Sequence, residues 1–125
     1  MPDRLFHYTT LDFAVECVAD LDAGRPVIVE VWEGLYGPGF YALDVGFDSA
    51  TRDQLRWECF GDARPEHPMD GVLVIDPSLA EAPFEMMDGR IWLMEASWGS
   101  RTPIEGMIVA VGVWEDGEWQ VDEYE

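Results

Sequence analysis

A single-domain α+β fold is the class this sequence predicts, with a split, twisted antiparallel or mixed β core and two helices. Three observations predict it. Apolar residues recur at three- and four-residue spacing only in the first half, at Leu11, Ala14, Val15, Val18 and Leu21 and again around Leu55 and Cys59. Short apolar and β-branched runs follow or intervene without the regular strand–helix alternation of a doubly wound sheet. The length, 125 residues, suits one core able to bury roughly two-thirds of the extended chain's surface.

Leu5 to Tyr8 reads as a first strand, and Thr9 or Thr10 as the cap of the first helix. Asp12, three residues after Thr9, supplies a short-armed capping box, and Gly24 followed by Arg25-Pro26 stops the helix. Val27 to Trp32 is expected to be a central or nearly buried strand. Glu33 to Gly39, with three glycines and a proline, is expected to be a tight loop, with a strand resuming from Phe40 to Val45.

A second helix opens at Ser49 or Thr51 and closes at about Phe60, before Gly61 and a polar loop from Asp62 to Asp70. Gly71 to Asp76 is the clearest buried strand, stopped by Pro77, and Arg90 to Met94 is another. Pro77 to Gly89 between them is expected to be irregular or a single helical turn. Gly106 to Trp114 and Glu118 to Val121 flank Glu115-Asp116-Gly117, and the Asp-Gly pair marks a closing hairpin. That makes about seven strands.

A hydrophobic share of 48% with six Trp, six Phe and four Tyr is that of a packed chain, so the charge does not imply disorder. Seven basic residues, all arginine, face 26 acids, for a formal charge of −19. Such a surface repels phosphate backbones and anionic lipid headgroups. It serves solubility, docks on a basic partner or mimics nucleic acid. Cys17 and Cys59 lie in apolar helical patterns, as reduced thiols do, and no apolar run approaches the roughly 18 residues of a membrane span. A cytoplasmic protein without a leader is expected.

Several chemistries lack their residues. His7 and His67 with two distant cysteines have no metal-ligand spacing, so no metal is expected. There is no phosphate-binding Gly-Lys-Ser/Thr loop, and Gly34, Gly37 and Gly39 lack the strand–turn–helix setting of a dinucleotide fingerprint. Apolar surroundings raise a thiol pKa, which argues against Cys17 or Cys59 as a nucleophile. Trp92, Trp98, Trp114 and Trp119 are expected in the core and on sheet faces.

Polar and aromatic clusters at the edges of apolar runs remain. His7-Tyr8-Thr9 stands just before the first helix, Gly37-Pro38-Gly39-Phe40-Tyr41-Ala42-Leu43 at a strand edge, and Pro103-Ile104-Glu105-Gly106-Met107-Ile108-Val109 at the head of a late strand. In this order they resemble the three motifs of the His-Tyr-Glu branch of ADP-ribosyltransferases. The first two are similar to those of the small bacterial toxin-type members, which carry a His-Tyr-Thr motif and then a Gly-Pro-Gly-aromatic-Tyr segment.

The resemblance implies an ADP-ribosyltransferase-like cleft that binds NAD as co-substrate and passes ADP-ribose to an unidentified acceptor, such as a basic protein. It implies that His7 hydrogen-bonds a ribose hydroxyl, that Tyr41 stacks on nicotinamide, and that Glu105 stabilises the oxocarbenium-like state, with Asp44, Asp76 and Glu85 as rivals for the acid. Tyr8, Thr9, Gly37, Gly39 and Phe40 would line the cofactor site, although Thr9 reads first as a helix cap. Arg4, Arg52, Arg56 and Arg90 are the bases available for the pyrophosphate, and their scarcity leaves open whether such a member is active or degenerate. The alternative from another class is an acidic interaction protein, an immunity or inhibitor protein that neutralises a basic partner.

Overall fold

A computed structural model describes residues 2–31, 33–34, 36–46, 54, 69–88 and 91–124. In chain order these form β1 (Leu5–Thr9), α1 (Leu11–Asp22), β2 (Ile28–Glu30), β3 (Glu33–Gly34), β4 (Gly37–Leu43), β5 (Gly71–Ile75), β6 (Phe84–Asp88), β7 (Ile91–Glu95), β8 (Arg101–Pro103), β9 (Ile108–Glu115) and β10 (Glu118–Glu123). Short 3-10 turns occupy Pro77–Leu79 and Glu105–Met107. The main sheet runs β10-β9-β5-β1-β4-β7-β6, with β3 added beside β4, and β2 and β8 make a separate ribbon. Every pair among the described residues is antiparallel, so the chain is a small single-domain α+β fold.

Alternation along the strands sorts side chains onto two faces. Leu5, Phe40, Ala42, Leu73, Ile75, Met94 and Val111 point to the side where Ala14 and Cys17 of α1 and Val27, Ile104 and Met107 complete the principal core. Tyr8, Leu43, Val45, Met69 and Val72 form a second cluster on the opposite face, with Phe6, Ile91 and Trp119 at its margin. β5 is buried at all five residues because β1 and β9 flank it and both faces are covered. Each fully buried Val, Leu or Ile there contributes about 1.5–3 kcal/mol.

α1 starts and stops on local chemistry. Thr10 in extended geometry accepts the Phe13 amide on its side chain at 3.1 Å, so Thr10 is the cap and Thr9 the last residue of β1. Gly24 takes φ +70°, while its amide reaches Leu21 O and that of Arg25 reaches Asp20 O, the paired bonds of a Schellman ending. The helix sits close on the sheet at Gly71, where an added Cβ would come within 2.6 Å of both the Ala14 Cβ and the Thr10 carbonyl.

Several expectations change. Among the described residues there is one α-helix, not two; the second, expected from Ser49 or Thr51 to Phe60, lies outside them apart from Gln54, as does most of the polar loop from Asp62 to Asp70. The Val27 to Trp32 run is not a central strand. Among its described residues Val27 and Val31 are buried, as a nearly buried strand requires, but Ile28–Glu30 pair with β8 alone, outside the main sheet, and Ile28 is 40% exposed, because β propensity specifies an extended chain without specifying a neighbour.

Glu33 to Gly39 is tight, as expected, but part of it is strand and not loop. β3 and β4 form a tight hairpin with Gly34 opposite Gly37, and Pro38 and Gly39 already lie in β4. β6 was not legible behind Pro83, although Phe84 and Met86 alternate with Glu85 and pair along β7. Glu105 heads a 3-10 turn rather than a strand. The closing hairpin forms as expected, with Asp116 at φ 53° and Gly117 at φ 78°, the left-handed pair of a tight two-residue turn.

Candidate functional site

β1 and β4 meet at one residue pair, Phe6 opposite Leu43, whereas β1 pairs with β5 over five residues. His7 occupies the place where β1 and β4 cease to pair. Its Nδ1 lies 2.7 Å from the Tyr41 carbonyl, which can only accept, so Nδ1 carries the proton and Nε2 presents a lone pair. The ring stacks on Phe40 with centroids 4.4 Å apart and planes inclined by 25°. Burial lowers the pKa below 6.5, with the Tyr41 bond acting in the opposite sense, so the imidazole is neutral at pH 7. Nε2 has no partner among the described residues.

His7 and Tyr41 are joined through the Tyr41 backbone, but their side chains do not converge. Phe40 faces His7, so Tyr41, the next residue in β4, points through the other face of the sheet. Its hydroxyl donates to the Gly37 carbonyl at 2.6 Å and accepts the Tyr36 amide at 2.9 Å, bracing the β3–β4 hairpin. Tyr8 also lies on that far side, where its hydroxyl donates to the Val45 carbonyl at 2.7 Å.

Thr9 ends β1 opposite Gly71. Phe40 is 3% exposed and makes an edge contact with Phe84 in addition to its stack on His7. Gly37 gives its carbonyl to Tyr41. At Gly39 the close backbone approach is to β7: a Cβ would run into the Met94 carbonyl and lie 2.5 Å from Leu93 Cδ1.

Glu105 belongs to another part of the molecule. Its Oε1 accepts the Val27 amide at 3.0 Å, and the neighbouring Ile104 amide donates to the Val27 carbonyl at 2.8 Å, fastening the 3-10 turn to the start of the β2 segment. Glu105 shares the wall of a cavity of about 260 Å³ with Glu81, Glu95, Met94 and Met107. It also borders a shallower hollow with Arg25, Leu21 and Pro103. Neither His7 nor Tyr41 lines either space.

Of the rival acids, Asp76 accepts both the amide and the hydroxyl of Ser78, at 3.0 and 2.6 Å, and pairs with Arg4 at 3.4 Å. The Ser78 hydroxyl bond first, then the Ser78 amide and Arg4, hold its pKa down against partial burial. Asp44 and Glu85 are exposed. Arg25 pairs with Asp20 at 3.0 Å, so two of the arginines are tied to carboxylates. Arg52 and Arg56 lie outside the described residues, as does Arg90.

Cys17 is buried in α1, and desolvation, aided by Asp20 and Glu16, pushes its thiol pKa up to about 12. Among the described residues no group of His, Cys, Asp and Glu is placed to hold a metal ion. None of their helices is long and apolar enough to cross a membrane.

The sequence is charge-biased toward acids from Glu115 to Glu125, and the structure places most of that stretch on the closing hairpin. Glu115, Asp116, Glu118, Asp122 and Glu123 are all exposed there. The signal was present in the pattern, since residues 102–125 contain no base. Fold and site together define a small antiparallel α+β domain with an acidic terminal hairpin and one anchored, neutral histidine. No protein-family model, curated protein or solved structure matches the chain.

Proposed function

We propose that this protein is an acidic binding module that docks on a basic partner protein, occupying the surface by which that partner would hold a polyanion. One observation carries the proposal. The β9–β10 hairpin turns Glu115, Asp116, Glu118, Asp122 and Glu123 to solvent without a base in the same stretch. A potential of one sign over a contiguous surface accelerates encounter with an oppositely charged partner and rejects others of its own sign. Glu118 and Glu115 even stand opposite each other in the hairpin, a like-charge pairing that costs stability. Such a cost is consistent with selection for binding.

The test is calorimetric titration with a lysine-rich peptide at low and at physiological salt. Binding that weakens steeply with salt and is lost in a Glu118→Gln, Asp122→Asn, Glu123→Gln variant supports the proposal; absence of binding at low salt overturns it.

A second reading has one specific observation in its favour, the state of His7. A neutral imidazole with Nδ1 anchored and Nε2 available suits acceptance of a hydrogen bond from a ribose hydroxyl. An NAD-binding, ADP-ribosyltransferase-like protein acting through His7, Tyr41 and Glu105 uses that group. Tyr41 then has to act from the opposite face of the sheet, and Glu105 from the 3-10 turn that holds Val27. A thermal shift with millimolar NAD that disappears in His7→Ala favours this reading, and no shift in the wild type removes it.

A further inference from the structure

Among the described residues two strands, β6 and β10, end the main sheet, and the chain treats them differently. β6 is blunted: Pro83 stands immediately before it and its register against β7 slips between Met86 and Asp88. Both devices discourage another chain from extending a sheet. β10 has neither, pairing with β9 in unbroken register from Glu118 to Glu123.

Its hydrogen-bonding phase follows from the bonds beside it. The Tyr124 amide donates to Val109 O at 2.7 Å, which makes positions 124, 122, 120 and 118 the ones that bond toward β9. The Trp114 amide, opposite Trp119, turns instead toward Asp70 O, in agreement with that phase. Val121 and Glu123 therefore direct their amides and carbonyls outward, where no described strand pairs with them.

We propose that β10 is a docking edge that takes one strand of a basic partner by main-chain pairing. This inference rests on the acidic docking proposed above and names its element and mode. Glu118, Gln120 and Asp122 share one face of β10, with the Gln120 amide donating to Glu118 at 2.8 Å. Val121, 40% exposed, lies on the other face beside the half-buried Trp119. Cross-strand neighbours meet on the same face, so the complementary strand alternates Lys or Arg, set against Glu118 and Asp122, with apolar residues set against Val121. A second copy of this chain is the wrong occupant, because its own Glu118, Asp122 and Glu123 would be brought against the same charges.

The probe is a capped peptide of alternating lysine and valine. It is compared with a block-ordered peptide of the same composition and with a version N-methylated at alternate amides. The protein variant is Val121→Pro, which removes an outward amide while leaving the bonds to β9 in place.

The expected result is salt-sensitive binding of the alternating peptide, weakened about tenfold or more by N-methylation and by Val121→Pro, with slowed hydrogen exchange at the Val121 and Glu123 amides. Equal binding of all three peptides, unaffected by Val121→Pro, overturns strand pairing while leaving acidic docking intact. Failure of every basic peptide to bind at low salt overturns both. Should Val121→Pro unfold, the N-methylated peptide against the unaltered protein still decides the matter.

Discussion

Gly39→Ala separates a glycine kept open for a ligand from one pressed against a neighbouring strand. In the structure the added methyl would lie 2.5 Å from Leu93 Cδ1 and 3.1 Å from Glu95 Cα, and closer still to the Met94 carbonyl. Comfortable carbon contacts are about 3.5–4.0 Å, so β7 must retreat by roughly 1 Å from β4. Leu93 can rotate, but the Met94 carbonyl is backbone and cannot.

Retreat weakens the ladder around Gly39 opposite Glu95 and Phe40 opposite Met94, at about 1 kcal/mol per hydrogen bond. Overpacking costs of 1–3 kcal/mol bracket the expected loss at about 2 kcal/mol. That is a urea midpoint lowered by about 1 M, or a melting temperature lowered by about 6–10 °C, read by tryptophan fluorescence. Gly106→Ala is the control, since its Cβ would meet nothing within 4 Å, and it should match the wild type or exceed it by up to about 1 kcal/mol. If Gly39→Ala unfolds within about 0.5 kcal/mol of the wild type, the close approach of β4 to β7 is refuted and an open, ligand-facing backbone is favoured.

Three further outcomes are expected. His7 is held neutral by burial, so as pH falls through 6.5 the unfolded chain binds a proton that the folded chain does not, and stability declines toward acid pH. Chemical denaturation from pH 7.5 to 5 should show this decline, with a slope no steeper than about 1.4 kcal/mol per pH unit relative to a non-titrating His7→Asn reference; parallel profiles would refute it. The Cys17 thiol, with its pKa near 12, should resist alkylation at pH 8 in a Cys59→Ser background until denaturant opens α1, whereas rapid reaction of the folded chain would place the thiol at the surface. Glu105→Ala should cost about 1–3 kcal/mol by stranding the Val27 amide while Glu105→Gln stays near the wild type; equal stability of the two would show that the carboxylate holds nothing.

What could be read from the sequence was what local chemistry determines. The Thr10 cap, the Gly24 stop, the five buried residues of β5 and the Asp116-Gly117 turn each follow from a few adjacent residues. Long-range placement did not. Nothing in Val27 to Trp32 announces that its partner is a three-residue strand ending in Pro103, and nothing near Gly39 announces the Met94 carbonyl.

The site shows the same division. His7, Tyr41 and Glu105 occur in a suggestive order, but order does not fix parity. Phe6 stands opposite Leu43, so His7 falls opposite Ala42 and shares its face with Phe40, leaving Tyr41 on the reverse side. A slip of one residue in that pairing would have set His7 directly across from Tyr41 on one face. Whether two distant side chains can serve one ligand thus turned on a single unit of register, which the β1–β4 contact supplies and no local pattern encodes. β10 is the converse case: its short turn to β9 fixes the register locally, so the alternation of Glu118, Gln120 and Asp122 with Trp119 and Val121 could be assigned to faces from the sequence itself.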